Sequence, residues 1–377
     1  MENREQNKAW ARRIADQIAE KVIVTVARNR GKIPYTTVNG RFDDWSGERI
    51  GWWTNGFWPA QLWQMYHAYG NEEFRAAAEE AEEKLDAVLK EFLPMDHDAG
   101  FRFLISAVAD YRITGNKESR NRGVLAASNL AGRFNLAANL IRAWNDAGTG
   151  ETAGLAIIDC MMNLPLLYWA SDELHDPRFR QIAMAHADRV REVFVREDGS
   201  VHHIVEFDPE TGKIVGPKGG QGMQIGSSWT RGQSWALYGF TLSYVHTGTE
   251  AYLETAEKIA DYVISRIPAS GIIPVDFDQP ETVPWEDASA AAILASGFLE
   301  LEKFAAGSRK EAYYDTAVFL LRTLAEKRCN WEKEADFIVE NCSAAYHDDN
   351  HNFAMIYGDY YFTEAVLKLA EKGIMLW

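Results

Sequence analysis

Phe57-Trp-Pro-Ala-Gln-Leu-Trp-Gln-Met-Tyr-His-Ala-Tyr69 runs straight into Gly70-Asn-Glu-Glu-Phe74. The first segment is apolar almost all round, which predicts a buried helix. Gly70-Asn71 ends it, and a charged, amphipathic helix starts at about Glu72. The same short junction returns as Thr114-Gly-Asn-Lys-Glu-Ser119, His175-Asp-Pro-Arg-Phe179 and Thr247-Gly-Thr-Glu-Ala-Tyr252, and more loosely as Gly307-Ser-Arg-Lys-Glu-Ala-Tyr313. Each supplies a helix stop followed by a helix start. Apolar helices are expected near 56–69, 100–113, 159–174, 231–246, 287–304 and 358–370, and charged partners near 6–29, 72–92, 117–134, 177–195, 249–266 and 309–327.

Six alternating pairs predict an all-α fold, an (α/α)6 toroid with an inner and an outer ring of helices. An open solenoid would keep a stricter period and short loops on both sides. Here only the inner-to-outer turns are short. The long return loops must therefore gather at one end, around the N-termini of the inner helices, where function tends to sit. Gly and strand-forming residues in 197–215 predict one hairpin within the fourth loop. No linker divides the chain, so residues 1–377 are read as a single (α/α)6 catalytic domain.

Composition narrows the partners. A net charge of −16 argues against nucleic acid, whose binders need basic patches. No apolar run is long enough for a membrane span, and the charged N-terminus has no signal-peptide core. Cys160, Cys329 and Cys342 are too few and scattered for a disulfide framework or a zinc site, which makes a reducing, cytoplasmic setting the expectation. His347-Asp-Asp-Asn-His351 lacks the Glu of a zinc-protease motif, and there is no phosphate loop or nucleophile elbow. No metal or cofactor is expected, and the chain is silent on oligomeric state. The thirteen Trp, several beside Gly or polar residues, suit a flat, polar-edged ligand such as a sugar ring.

Candidate chemistry centres on Leu155-Ala-Ile-Ile-Asp159-Cys-Met-Met-Asn163-Leu-Pro-Leu-Leu167, where Asp159 is the only ionisable side chain in an apolar run apart from the Cys160 thiol beside it. Asp159 could cap a helix, or face a cavity as a costly buried carboxyl. Asp98 has the same two options. The toroid would bring Trp53, Asn55, His97, Asp98, Trp144, Asp159, His202, His203, Gln221, Arg231 and Trp235 to the loop end, from four different loops. Two carboxyl groups beside one cavity suit glycosidic and related sugar chemistry. A helix N-terminus favours a charged carboxylate, whereas burial and a like charge oppose it, so the protonation of Asp159 stays open at this point. Ser228-Trp-Thr-Arg-Gly-Gln-Ser-Trp235 offers a guanidinium fork and a stacking indole, or an internal ion pair and a core residue.

These stretches resemble the unsaturated glucuronyl hydrolases of glycoside hydrolase family 88. The resemblance rests on Trp53-Thr-Asn-Gly-Phe-Trp58, His97-Asp-Ala-Gly-Phe101, Ile157–Leu167, Ser228–Trp235, Asp287-Ala-Ser-Ala-Ala-Ala-Ile293 and Gly358-Asp-Tyr-Tyr361, in family order over residues 50–365. It implies the same toroid. It also implies hydration of the C4=C5 double bond that polysaccharide lyases leave on a terminal uronic acid, so the partner would be an unsaturated uronyl di- or oligosaccharide. By this similarity Asp159 protonates C4 and activates water for C5, while Asp98 holds the ring hydroxyls. Trp53, Asn55, His97, Trp144, His203, Gln221, Arg231 and Trp235 would line the sugar site. Asn55 stands where some relatives carry Asp or Ser. Gly220 stands where relatives carry a basic or imidazole side chain linked to sulfate preference, and the loop 347–352 is acidic and His-rich rather than cationic. The competing readings are a rhamnogalacturonyl hydrolase of family 105, a toroid epimerase or isomerase using paired His, and a non-catalytic saccharide binder.

Overall fold

The computed structural model describes residues 2–91, 94–146 and 148–377. Six helical hairpins close into an (α/α)6 toroid. The inner helices are Phe57–Tyr69, Leu164–Leu174, Thr230–Thr247, Ala288–Leu301 and Ile356–Leu369, with a sixth made of Ala99–Phe103, a π-helical turn Leu104–Val108, and Ala109–Thr114. The outer helices are Glu2–Arg28, Glu72–Glu91, Lys117–Ala131, Pro177–Val193, Glu250–Arg266 and Gly307–Lys327. Ala288–Leu301 is buried at every position. Glu72–Glu91 instead buries Phe74, Ala77, Ala78, Ala81, Glu82, Leu85 and Val88, one face at helical spacing.

The short junctions work as their sequences require. Gly248 takes a left-handed φ of 67° and its amide donates to Tyr244 O, which ends the inner helix. Asn116 and Asp176 then cap the next outer helices through side-chain oxygens.

The expected hairpin forms from the antiparallel strands Ile204–Phe207 and Ile214–Lys218. A third strand, Leu155–Ile157, pairs with it, Ile157 opposite Ile204. This corrects the expected helix start at 159: Ile158–Met162 is a 3-10 turn and the α-helix begins only at Leu164. The strand and the Ile158 amide bond to His203 O hold the turn against the hairpin.

The axis of the toroid is filled with aromatic rings. Trp53, Phe57, Phe101, Trp235, Tyr357 and Tyr361 touch one another in series, and buried Trp377 stacks parallel to Tyr361. The loop-end segments approach so closely that positions such as Gly56 and Gly100 admit only hydrogen. A Cβ on Gly56 would lie 2.0 Å from Phe101 O, and one on Gly100 would lie 2.7 Å from the Asn163 Cα. Backbone cannot yield as a flexible side chain does, so Gly56→Ala is expected to cost at least the ~1–3 kcal/mol of ordinary overpacking. A urea midpoint equal to that of the unsubstituted chain would contradict this.

Candidate active site

A cavity of about 560 Å³ opens at the loop end, directly above the aromatic axis. Trp53, His97, Asp98, Trp144, Asp159, Gln221 and Arg231 line it, as the sequence reading requires. Tyr35, Trp52, Asp96, Asp348 and Tyr357 line it too, and none of these was singled out from the sequence. Trp52 and Asp96 adjoin motif residues, and Tyr357 precedes Gly358-Asp-Tyr-Tyr361; adjacency was the available signal.

Two expected wall residues are corrected. Asn55 is buried, and its Nδ2 donates to Arg49 O and Ile50 O, so it shapes the turn that carries Trp52 and Trp53. Trp235 is buried among the axial rings, 5.2 Å from Phe101 and 5.5 Å from Tyr361, centroid to centroid. Both support the cavity from behind. His203 is likewise not a lining residue, but its Nε2 lies 3.7 Å from Asp159 Oδ1. His202 does not line the cavity.

Neither carboxyl is a helix cap. Asp159 stands in the first turn of the 3-10 segment and Asp98 precedes Ala99–Phe103, yet neither helix start is capped by a side-chain hydrogen bond. The Asp159 side chain is 16% exposed, and its Oδ1 has no hydrogen-bond partner among the described residues. Burial pushes its pKa up to about 7, opposed by the charge of Arg231. Asp98 accepts from Asn163 Nδ2 at 3.3 Å. Burial, with the negative charges of Asp96 and Asp159, drives it well above the usual carboxylate range, against Arg102 and Asn163.

The imidazoles go the other way. Burial lowers His203 to about 3, helped by Arg231, and His97 to about 4, where Arg133 and Arg102 lower it and Asp96 raises it. His203 Nδ1 accepts the Gln221 amide at 3.1 Å, which leaves the proton on Nε2, facing Asp159. Both rings are therefore neutral near pH 7, and the groups poised to exchange a proton there are carboxyls. The His202-His203 pair that an epimerase would use does not line the cavity.

Arg231 makes the internal ion pair that was one of its two expected settings. Its guanidinium donates to Asp287 Oδ2 at 2.6 Å, to Ser343 O at 2.7 Å and to Ala344 O, and it also lines the cavity. It sits 4.7 Å from the Trp229 ring and 5.3 Å from that of Tyr357. Gly220 is bare for a steric reason: a Cβ there would lie 2.1 Å from His203 Nδ1. The His pair of the last loop diverges, with His347 Nε2 on Met223 O and His351 stacked 3.9 Å from Trp285. Among the described residues no group of three or more His, Cys, Asp or Glu is arranged to hold a metal ion.

Known proteins share this design. The profile of Glycosyl Hydrolase Family 88 matches residues 15–377. An unsaturated glucuronyl hydrolase from Bacillus sp. is 37% identical over 85% of this chain and 87% of its own length. An unsaturated chondroitin disaccharide hydrolase from Streptococcus pneumoniae is 31% identical over 86% and 83%. The crystal structure of a Streptococcus agalactiae unsaturated glucuronyl hydrolase variant, complexed with dGlcA-GalNAc6S, superposes with a TM-score of 0.85 at 26% identity, covering 98% of this chain and 94% of that one. With a family match that spans nearly its whole length and a relative 37% identical over most of both chains, the chain belongs to glycosyl hydrolase family 88.

Proposed function

We propose that the cavity takes the terminal 4,5-unsaturated glucuronic acid of a di- or oligosaccharide produced by a polysaccharide lyase, and hydrates its C4=C5 bond. The chain is a glycoside hydrolase by family, and relatives are named for unsaturated glucuronyl and chondroitin substrates. The observation that carries the reading is Asp159: a cavity-lining carboxyl with an unpartnered oxygen, pushed to about 7, where it can both give and take a proton near neutral pH.

Its proton goes to C4, and the electron deficit falls on C5 next to the ring oxygen. Water then adds to C5 while the Asp159 carboxylate takes its proton, so one group acts as acid and then as base and is restored. The C5 hemiketal opens, and the hemiacetal left at C1 expels the rest of the saccharide. His203 Nε2–H faces Asp159 from 3.7 Å, beyond hydrogen-bond reach, and leaves the carboxyl oxygen free for substrate and water. Trp53 and Trp144 offer aromatic faces to the sugar, and Arg231 contributes positive charge for the uronate. Asp348 lines the cavity and Gly220 carries no cation, which favours a leaving sugar without sulfate. A cytoplasmic setting, expected from the sparse cysteines, is part of this reading.

The direct test follows loss of the ultraviolet absorbance of the conjugated double bond across lyase products of glycosaminoglycan and pectin. Activity confined to the pectin products would overturn the glucuronyl reading, and turnover of a 6-sulfated disaccharide faster than of its unsulfated counterpart would overturn the sulfate preference. Asp159→Asn should keep the fold and binding but lose about 10²–10⁴-fold in kcat, as for a general acid–base residue. In heavy water the product should carry deuterium at C4; its absence there, or near-normal turnover by Asp159→Asn, sinks the mechanism. The acid must start protonated, so the rate should fall as pH rises through about 7. A rate still rising through pH 8 would deny Asp159 that role. Arg231→Ala leaves Asp287 buried without its cation and should cost about 3–5 kcal/mol in a urea unfolding series; a purely kinetic effect with full stability would show the ion pair to be dispensable.

A further inference from the structure

Asp96 is a third carboxylate on the cavity wall, and the reaction as derived leaves it without a task. Its side chain is 23% exposed. Oδ1 accepts two hydrogen bonds, from Arg102 Nη2 at 2.6 Å and from the Asp98 backbone amide at 2.9 Å. The Arg102 side chain is fully buried, and its Nη1 donates to Gly51 O at 2.8 Å, beside the Trp52 and Trp53 turn. One carboxylate oxygen thus ties the segment bearing Asp98 to a buried cation, and that cation ties it to the turn that carries Trp52 and Trp53.

We propose that Asp96 is a positioning residue for Asp98: it fixes the Asp98 backbone through Oδ1, and its standing negative charge makes Asp98 a neutral hydrogen-bond donor to the substrate. The inference rests on the reading that Asp98 meets the sugar. Burial opposes a charge on Asp96, but Arg102, His97 and the Asp98 amide hold it below the ordinary carboxylate range. Two carboxylates two residues apart on one wall do not both ionise readily, and the one without the guanidinium bond is left protonated. The groups facing Asp98 are Asp96 on its own segment, Arg102 on the helix that follows, and Asp159, Cys160 and Asn163 from the 3-10 turn and the end of that turn. His97 Nε2 lies 3.5 Å from Asp98 Oδ2. His97 is neutral near pH 7 and burial pushes the Cys160 thiol up, so Asp96, Arg102 and Asp159 are the neighbours whose charge counts. The two chemical tasks then separate: Asp159 exchanges a proton, while Asp98 keeps its own and presents it to an oxygen of the ring.

Asp96→Asn retains the acceptor and the volume but removes the charge. In protein labelled with carbon-13 at the Asp carboxyls, with Asp98→Asn to assign the resonance, the Asp98 midpoint should fall by about one pH unit or more in Asp96→Asn. It should rise in Arg102→Gln. A structural disturbance would not move the two variants in opposite directions. The double variant Asp96→Asn/Arg102→Gln, which leaves no lone buried charge, covers the case in which Arg102→Gln fails to fold, and its midpoint should still lie below that of the unsubstituted protein. On the unsaturated disaccharide, the activity of Asp96→Asn relative to the unsubstituted protein should drop about tenfold between pH 5 and pH 8 as Asp98 ionises. An unmoved Asp98 midpoint, or a loss of activity equal at both pH values, overturns the proposal. Full activity in Asp98→Asn would instead overturn the role of Asp98 at the substrate, and the carbon-13 titration would still read what Asp96 does.

Discussion

The ring-filled axis is the constraint on which the site depends. Trp53 and Tyr357 lie 5.0 Å apart, Phe57 and Phe101 5.4 Å, and Phe101 and Trp235 5.2 Å, a continuous apolar floor. Groups above that floor have water on one side at most, and the charged form of a carboxyl loses solvation without a replacement. The raised pKa of Asp159 follows from that loss, as does the preference of His203 and His97 for their neutral forms. Tyr357 of that floor, with Trp229 beside His203, gives Arg231 two aromatic faces, which helps a guanidinium remain buried beside the cavity.

Glu364 shows how much depends on donors rather than on depth. It is as buried as any carboxyl here, yet it accepts from Tyr238 at 2.7 Å, Tyr360 at 2.6 Å, Trp377 Nε1 at 2.8 Å and Ser296, with Lys368 Nζ at 2.9 Å. Burial pushes it up, but Lys368 and the hydroxyls bring it below the ordinary range. Asp159 is also largely buried, though it lines the cavity, and its Oδ1 lacks such donors. One toroid therefore holds a carboxylate fixed as an anion on the Trp377 side of its axis and a titrating carboxyl at the loop end, and the difference lies in one ammonium and a few hydroxyl groups.

The architecture was legible because it repeats. Apolar helices followed by Gly-Asn, Gly-Thr or Asp-Pro junctions mark four hairpins, the alternation of apolar and charged helices supplies the other two, and the unequal loops name the end that carries the cavity. The turn around Asp159 was not legible, because Leu155-Ala-Ile157 pairs with a strand some fifty residues on and an apolar run does not announce a distant partner. Trp235 and Asn55 sit inside motifs, but a motif does not say which of its side chains face the cavity and which face the wall. Asp96 and Asp348 read as ordinary loop acids until Arg102 and the cavity give them a setting. Arg102 itself, between Phe101 and Phe103, is a charge in an apolar run whose partner lies six residues back.

A room with a filled floor imposes an order of traffic. With the axis blocked by Trp235, Tyr361 and Trp377, nothing leaves through the far side of the ring. In the binding mode proposed above, the saccharide expelled from C1 stands nearer the mouth and departs before the opened uronate. Whatever trails out of the mouth is never threaded through the protein, so the length of the chain beyond the second sugar carries no steric penalty and interior bonds stay out of reach. The uronate left behind is then the product that competes with the next substrate molecule, and the expelled saccharide is the one that returns only to an occupied room.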